Sequence, residues 1–149
     1  MLNKTLLEKF IILSKSSKNI YSDTIAECAK HCGITKPEAD LLLFFGNNPK
    51  FTNAIDAVNY RKFSKAYVSK ALSTLSKRNY ITIEENKNDR RYQQITINDC
   101  AKKILKKLQE CQANFFKKMR QGISDEEFKT FLNVIEKITD NYLKESTIK

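Results

Sequence analysis

Between Ser64 and Ile97 the hydrophobic period of the chain switches from helical to alternating, and that switch restricts the folds open to it. Val68, Ala71, Leu72 and Leu75 recur at the spacing that makes one stripe along a helix running to about Arg78. Tyr80-Ile-Thr-Ile83 and Tyr92-Gln-Gln-Ile-Thr-Ile97 then alternate β-branched or aromatic residues with polar ones, the pattern of strands with one buried face. The polar run Glu84 to Arg91 reads as the long charged tip of a hairpin joining them. Asn79 tolerates the left-handed conformation that stops a helix, and it stands where helix must give way to strand. A lone hairpin is not stable in water, so the rest of the chain must supply a helical body for it to pack on.

The flanking sequence fits that requirement. Three Gly and two Pro in 149 residues leave little room for a long linker, and there is no internal repeat. From Leu2 to about Cys32 the residues Leu2, Leu6, Phe10, Leu13, Ile20, Ile25 and Cys28 predict one long helix, or two short ones divided around Ser14 to Ser17. Thr35-Lys-Pro-Glu38 has the form of a capping box opening a helix through Ala39, Leu42, Leu43 and Phe45, with Gly46-Asn-Asn-Pro49 as its stop. Thr52 is the expected cap of a short helix to about Val58. A turn from Asn59 to Phe63 follows, and Ser64 caps the next helix. Asn98-Asp99 is placed to open a long helix from Cys100 to about Arg120, and Ser124-Asp-Glu-Glu127 a last one bearing Phe128, Phe131, Leu132, Ile135, Ile138 and Tyr142.

Charge narrows the partner. Lys and Arg total 27 against 17 Asp and Glu, a formal charge of +10, which favours a polyanion. From Arg61 to Arg91 there are nine basic and three acidic residues, so over half of the excess lies in a fifth of the chain. Opposite the apolar stripe, the helix after Ser64 presents Lys65, Ala66, Tyr67, Ser69, Lys70 and Ser73: small residues that permit close approach, and longer ones that reach phosphates or base edges. Arg61 and Lys62 flank it, while Lys87, Arg90 and Arg91 cluster at the hairpin tip, where Arg suits a narrow minor groove. Helix, turn, helix and charged hairpin in immediate succession is the arrangement that puts a helix in the major groove with the hairpin beside it. The expected class is therefore mainly α with a small β-hairpin wing, a winged helix-turn-helix of order α-α-α-α-β-β-α-α. Its double-stranded DNA contacts are assigned to Arg61, Lys62, Ser64, Lys65, Ala66, Tyr67, Ser69, Lys70, Ser73, Lys87, Arg90 and Arg91.

At Leu75-Ser-Lys-Arg-Asn79-Tyr-Ile81, Asp89-Arg90-Arg91 and Ile97-Asn98-Asp99-Cys100-Ala101 the chain resembles the MarR family of bacterial transcriptional regulators. That family ends its recognition helix in L-x-x-x-G-L-[IV], follows with an Asp-Arg-Arg wing, and opens a long helix with L-T-x-x-G. Asn79 replaces the first glycine, Asn98 and Ala101 replace the Thr and Gly of the helix opening, and the family's usual turn glycine falls near Lys62. The staphylococcal accessory regulators resemble the chain in architecture and in similar departures. The resemblance covers almost the whole chain. It implies a homodimer held by the first, fifth and sixth helices, with residues 1–34 an N-terminal dimerisation helix region, 35–98 the DNA-binding lobe and 99–149 C-terminal dimerisation helices. It further implies a repressor of operator DNA whose affinity responds to a small hydrophobic or phenolic effector or to thiol oxidation. The terminal helices carry more apolar surface than such a lobe can cover, an independent reason to expect a dimer.

Two clusters invite a sensing role. Cys28-Ala-Lys-His31-Cys32 holds the sole histidine and two cysteines one helical turn apart, which suits either a redox pair at Cys28 and Cys32 or incidental thiols. It lacks the four ligands a zinc site requires, so no metal or other cofactor is expected. Cys111 falls on an apolar stripe, as a small core or interface residue would, and reduced thiols are the expected state of all four cysteines. Phe10, Phe44, Phe45, Phe115 and Phe116 are either core or the lining of an effector cleft. A lone His, no Gly-rich phosphate loop and no nucleophile-base pattern argue against an enzyme. No apolar run nears the roughly 20 residues of a membrane span, and no cleavage site follows the N-terminal apolar stretch, so a cytoplasmic protein without membrane contact is expected. The rival reading is a winged-helix protein-interaction module that does not read DNA sequence.

Overall fold

A computed structural model describes residues 4–85 and 93–147. The order is α1 (Lys4–His31), α2 (Lys36–Asn47), α3 (Ala54–Arg61), α4 (Lys65–Lys77), β1 (Ile81–Glu85), β2 (Gln93–Ile97), α5 (Asp99–Met119) and α6 (Asp125–Thr147). The chain is thus mainly helical with one antiparallel hairpin, in the expected order. Residues 1–113 form one compact unit and residues 114–149 a second. Lys87, Arg90 and Arg91 lie outside the described residues.

The first unit is organised around α2, whose residues Glu38 to Phe45 are all buried, as a helix apolar on nearly every side must be. Thr35 and Glu38 form its capping box, with Glu38 Oε2 accepting from the Thr35 backbone N–H and hydroxyl at 2.7 Å each. Helix α2 packs on α1, α4 and β2. Ile25, Cys28 and Ala29 of α1, the stripe Val68, Ala71, Leu72 and Leu75 of α4, Ile81 and Ile95 of the hairpin, and Ala101 and Leu108 of α5 complete one core. The hairpin pairs Ile81 with Ile97 and Ile83 with Ile95. It is tied to the body where the Ile95 N–H donates to the Thr52 carbonyl at 2.6 Å.

Several local expectations are decided or revised. Helix α1 runs unbroken through Ser14 to Ser17, with the Ser14 hydroxyl bonded back to the Ile11 carbonyl of its own helix. The cap of α3 is Asn53, one residue after Thr52, because Asp56 closes a reciprocal box with Asn53 while Thr52 is drawn onto the hairpin; α3 then extends to Arg61. Helix α2 ends at Asn47 with Asn48 as its C-cap, inside the expected stop Gly46 to Pro49, and Gly46 itself lies in its last turn. A Cβ there would stand 2.6 Å from both Leu105 methyl carbons, so the missing side chain lets α5 approach. The Asn98 side chain is committed between two strangers to α5: its amide donates to the Asn79 carbonyl at 3.0 Å and its oxygen accepts from the Thr82 hydroxyl at 2.8 Å.

Lys62 and Asn79 both adopt left-handed backbone, at φ 56° and 57°. Asn accepts that region readily, whereas a Lys there is strained by its Cβ. Lys62→Gly is expected to raise stability by about 1 kcal/mol, read as a melting point about 2–4 °C higher. An unchanged or lower melting point would show that the turn carries no such strain.

The second unit contains the end of α5 and all of α6, which is opened by a capping box in which Glu127 accepts from the Ser124 N–H and hydroxyl. Those bonds, the backbone one foremost, hold the Glu127 carboxyl below its usual range. Their contribution is therefore present near neutral pH and is lost as pH falls through that lowered value. Phe131, Leu132, Ile135, Ile138 and Tyr142 of α6 are exposed, Tyr142 at 73%. In the first unit Phe10, Ile11, Leu13 and Ile20 of α1 are exposed too.

Candidate nucleic-acid interface

Helices α3 and α4 are joined by a three-residue turn, Lys62 to Ser64, with Lys62 as the left-handed C-cap of one and Ser64 as the N-cap of the other. The Ser64 hydroxyl accepts from the Tyr67 N–H at 3.1 Å, satisfying one of the unpaired donors at the start of α4. Burial of Val68, Ala71, Leu72 and Leu75 against the core turns Lys65, Ala66, Ser69, Lys70 and Ser73 outward, and all five are exposed. Arg61 and Lys62 are exposed at the turn, Arg61 with its guanidinium 5.4 Å from the centre of the Phe63 ring. The outcome is a helix face of short side chains and two lysines, with basic residues at its entry. Such a face can neutralise phosphates and approach base edges closely.

Tyr67 differs from its neighbours. It is half-buried, and its hydroxyl donates to Asp40 Oδ2 of α2 at 2.7 Å. Burial, and then the hydrogen bond to the Asp40 carboxylate, push its phenol well above the ordinary tyrosine range. Asp40 is also paired with Lys36. At the other end of α4, Arg78 donates to the Gly33 carbonyl at 2.9 Å, stacks on Tyr80 and lies 3.6 Å from Glu38. Glu38 is marked in the sequence only as the end of a capping box and Asp40 not at all, so neither contact to α4 or its end is signalled there.

The cysteines are arranged differently from the expectation. Cys28 is joined by a disulfide to Cys111 of α5, with Cα atoms 6.7 Å apart, so the pair is not Cys28 with Cys32 and the two thiols are not reduced. The reason is tertiary: α1 and α5 pack along a seam on which Cys28 and Cys111 meet, whereas Cys32 is free and only half-buried one turn on. Cys100 is free and exposed, its thiol directed at the Asn79 carbonyl. Among the described residues no group of three His, Cys, Asp or Glu is placed to hold a metal ion. Phe44 and Phe45 are core residues, Phe44 stacked on Phe51, and so line no open cleft; Phe115 is buried, while Phe10 and Phe116 are exposed. No helix among the described residues is long and apolar enough to cross a membrane.

Residues 33–91, which contain α2 to β1, match the MarR family. No curated protein matches the chain in sequence. Solved structures with the same fold include a MarR protein from Peptoclostridium difficile, 23% identical over 100% of this chain and 97% of that one, with a TM-score of 0.81. A putative MarR family transcriptional regulator from Listeria monocytogenes, complexed with a 26mer DNA, is 14% identical over 97% of this chain and 92% of its own, with a TM-score of 0.79. A MarR transcriptional regulator from Methanosarcina mazei is 18% identical over 91% of this chain and 98% of its own, with a TM-score of 0.75.

Proposed function

Since residues 33–91 match the MarR family, we propose that the chain is a cytoplasmic, non-enzymatic repressor that binds double-stranded operator DNA as a homodimer. The observation that carries this reading is the outward face of α4, where Lys65, Ala66, Ser69, Lys70 and Ser73 stand opposite a fully buried stripe. Lys65, Ser69 and Lys70 work in the major groove, Arg61, Lys62 and Ser64 at its edge, and the wing residues Lys87, Arg90 and Arg91 beside it. The similar structure from Listeria monocytogenes is complexed with a 26mer DNA, which supports DNA as the partner.

Dimerisation is supported by the apolar residues that α1 and α6 leave in water, since soluble monomers rarely expose such stripes. Residues 1–34 and 99–149 then serve as the dimerisation helices around a DNA-binding lobe at 35–98. Two copies place two α4 helices for a pseudo-palindromic operator with half-sites about one helical turn apart.

Affinity is modulated at the α1–α5 seam by thiol oxidation. Peroxide takes two electrons and two protons from Cys28 and Cys111, leaving the disulfide and two waters. A small hydrophobic or phenolic effector in an inter-helix cleft is the alternative modulator.

Fluorescence anisotropy of the purified protein against DNA fragments upstream of its own gene, at several salt concentrations, tests the reading. Selective, salt-dependent binding by a dimer is expected. Equal binding to all fragments at low salt, or none, would leave a winged-helix interaction module instead.

A further inference from the structure

The recognition face of α4 is useful only if the helix is held at one rotation and one axial height. Packing of its apolar stripe sets that rotation coarsely, because the hydrophobic driving force is itself non-directional, and directional contacts are needed to hold it to one position. Polar contacts at both ends of the helix reach buried carboxylates of α2, a hydrogen bond at the first turn and a 3.6 Å ion pair past the last. At the first turn the Tyr67 hydroxyl donates to Asp40, which is 3% exposed. Just past the last turn Arg78 faces Glu38, which is 1% exposed and whose other oxygen closes the α2 capping box.

Two buried acids are unexpected beside the most basic surface of a chain with a charge of +10. A buried carboxylate is costly unless it is paired. Asp40 Oδ1 has no hydrogen-bond partner among the described residues, so Lys36 and Tyr67, both on Oδ2, carry its compensation. Displacing Tyr67 would strand that charge further.

We infer that Asp40, acting through Tyr67, and Glu38, acting through Arg78, are positioning residues that set the register of the recognition helix for sequence discrimination. This rests on the DNA-binding reading above and alters one part of it: the Tyr67 hydroxyl is spent on the protein, and does not read a base. Lys65 and Lys70 supply sequence-independent attraction, while the two anchors decide which base edges the short side chains meet. Loss of an anchor therefore lowers specificity and leaves the electrostatic component in place.

The test uses Tyr67→Phe, Asp40→Ala, their double variant and Asp40→Asn, which keeps an oxygen to accept from Tyr67. Each is titrated with the duplex that wild-type protein enriches from a random-sequence pool, and with a scrambled duplex of equal length. Tyr67→Phe and Asp40→Ala are each expected to reduce the preference for the enriched duplex about tenfold or more, with salt slopes unchanged. The double variant should be no worse than either single one, and Asp40→Asn should keep most of the preference. Losses that multiply in the double variant, or a Tyr67→Phe protein with full preference, would overturn the assignment.

A second measurement needs no DNA. Amide exchange in residues 66–70 should quicken in Tyr67→Phe while that of β1 is unchanged; equal exchange in both proteins would also overturn it. If wild-type protein enriches no duplex, the regulator reading fails by itself, and the exchange result still decides whether Asp40 and Tyr67 fix α4.

Discussion

Lys65→Glu combined with Lys70→Glu is expected to abolish measurable operator binding at physiological salt while leaving the melting temperature nearly unchanged. Both side chains are exposed on the outward face of α4, away from the core, so folding has little stake in them. Each lost phosphate contact flattens the dependence of log affinity on log salt by about 0.9. The pair should therefore remove a slope of about 1.8 per subunit, and the introduced carboxylates add repulsion. Affinity should fall by about a hundredfold or more at a salt concentration near physiological. The measurement is a salt series of anisotropy titrations on wild type and variant. An undiminished slope would place the phosphate contacts elsewhere than on α4.

Reduction of the Cys28–Cys111 disulfide is the other large effect. The bridge spans 83 residues of sequence, which in the chain-entropy description is worth up to about 4.5 kcal/mol against the unfolded chain. That corresponds to a melting point lower by about 10 °C or more after treatment with dithiothreitol. A Cys28→Ala, Cys111→Ala protein should melt at one temperature with or without the reductant, which separates the bridge from general effects on Cys32 and Cys100. If wild-type protein melts identically in both conditions, the bridge has no share in stability.

The same pair of samples tests the proposed modulation. Tyr21 of α1 and Gln112, the neighbour of Cys111, are hydrogen-bonded across the seam at 2.7 Å. The positive charge of Arg61, at the entry to the recognition helix, acts on that same tyrosine and favours its ionised form. A change at the seam thus has a physical route to the interface. Oxidised and reduced protein should differ in operator affinity, and equal affinities would leave the disulfide a purely structural clamp.

Much of the fold is legible because it is written in short-range signals. The capping boxes at Thr35 and Ser124, the Ser64 cap and the left-handed Asn79 involve residues within a few positions of one another. The strand alternation from Ile81 and up to Ile97 is equally local, and the hairpin has the register that alternation requires. Mistakes occur where a local signal competes with a distant partner. Thr52 and Asn53 can both cap a helix, and what separates them is the bond from Ile95, some forty residues away. The stop of α2 within Gly46 to Pro49 is legible, but that Gly46 also makes room for Leu105 is not. Asn98 resembles a cap, but its side chain finds Asn79 and Thr82 first.

The sequence by itself determined the order of elements, the helix that carries the basic face and the residues on that face, because periods of 3.6 and 2 assign each side chain to a side before any tertiary contact forms. Tertiary structure alone decided that Cys28 meets Cys111, that Tyr67 turns inward to Asp40, and that Arg78 comes within 3.6 Å of Glu38. Each of those contacts joins residues 27 to 83 positions apart, on helices whose mutual rotation is set by how a whole core packs. No pattern along one helix encodes that rotation.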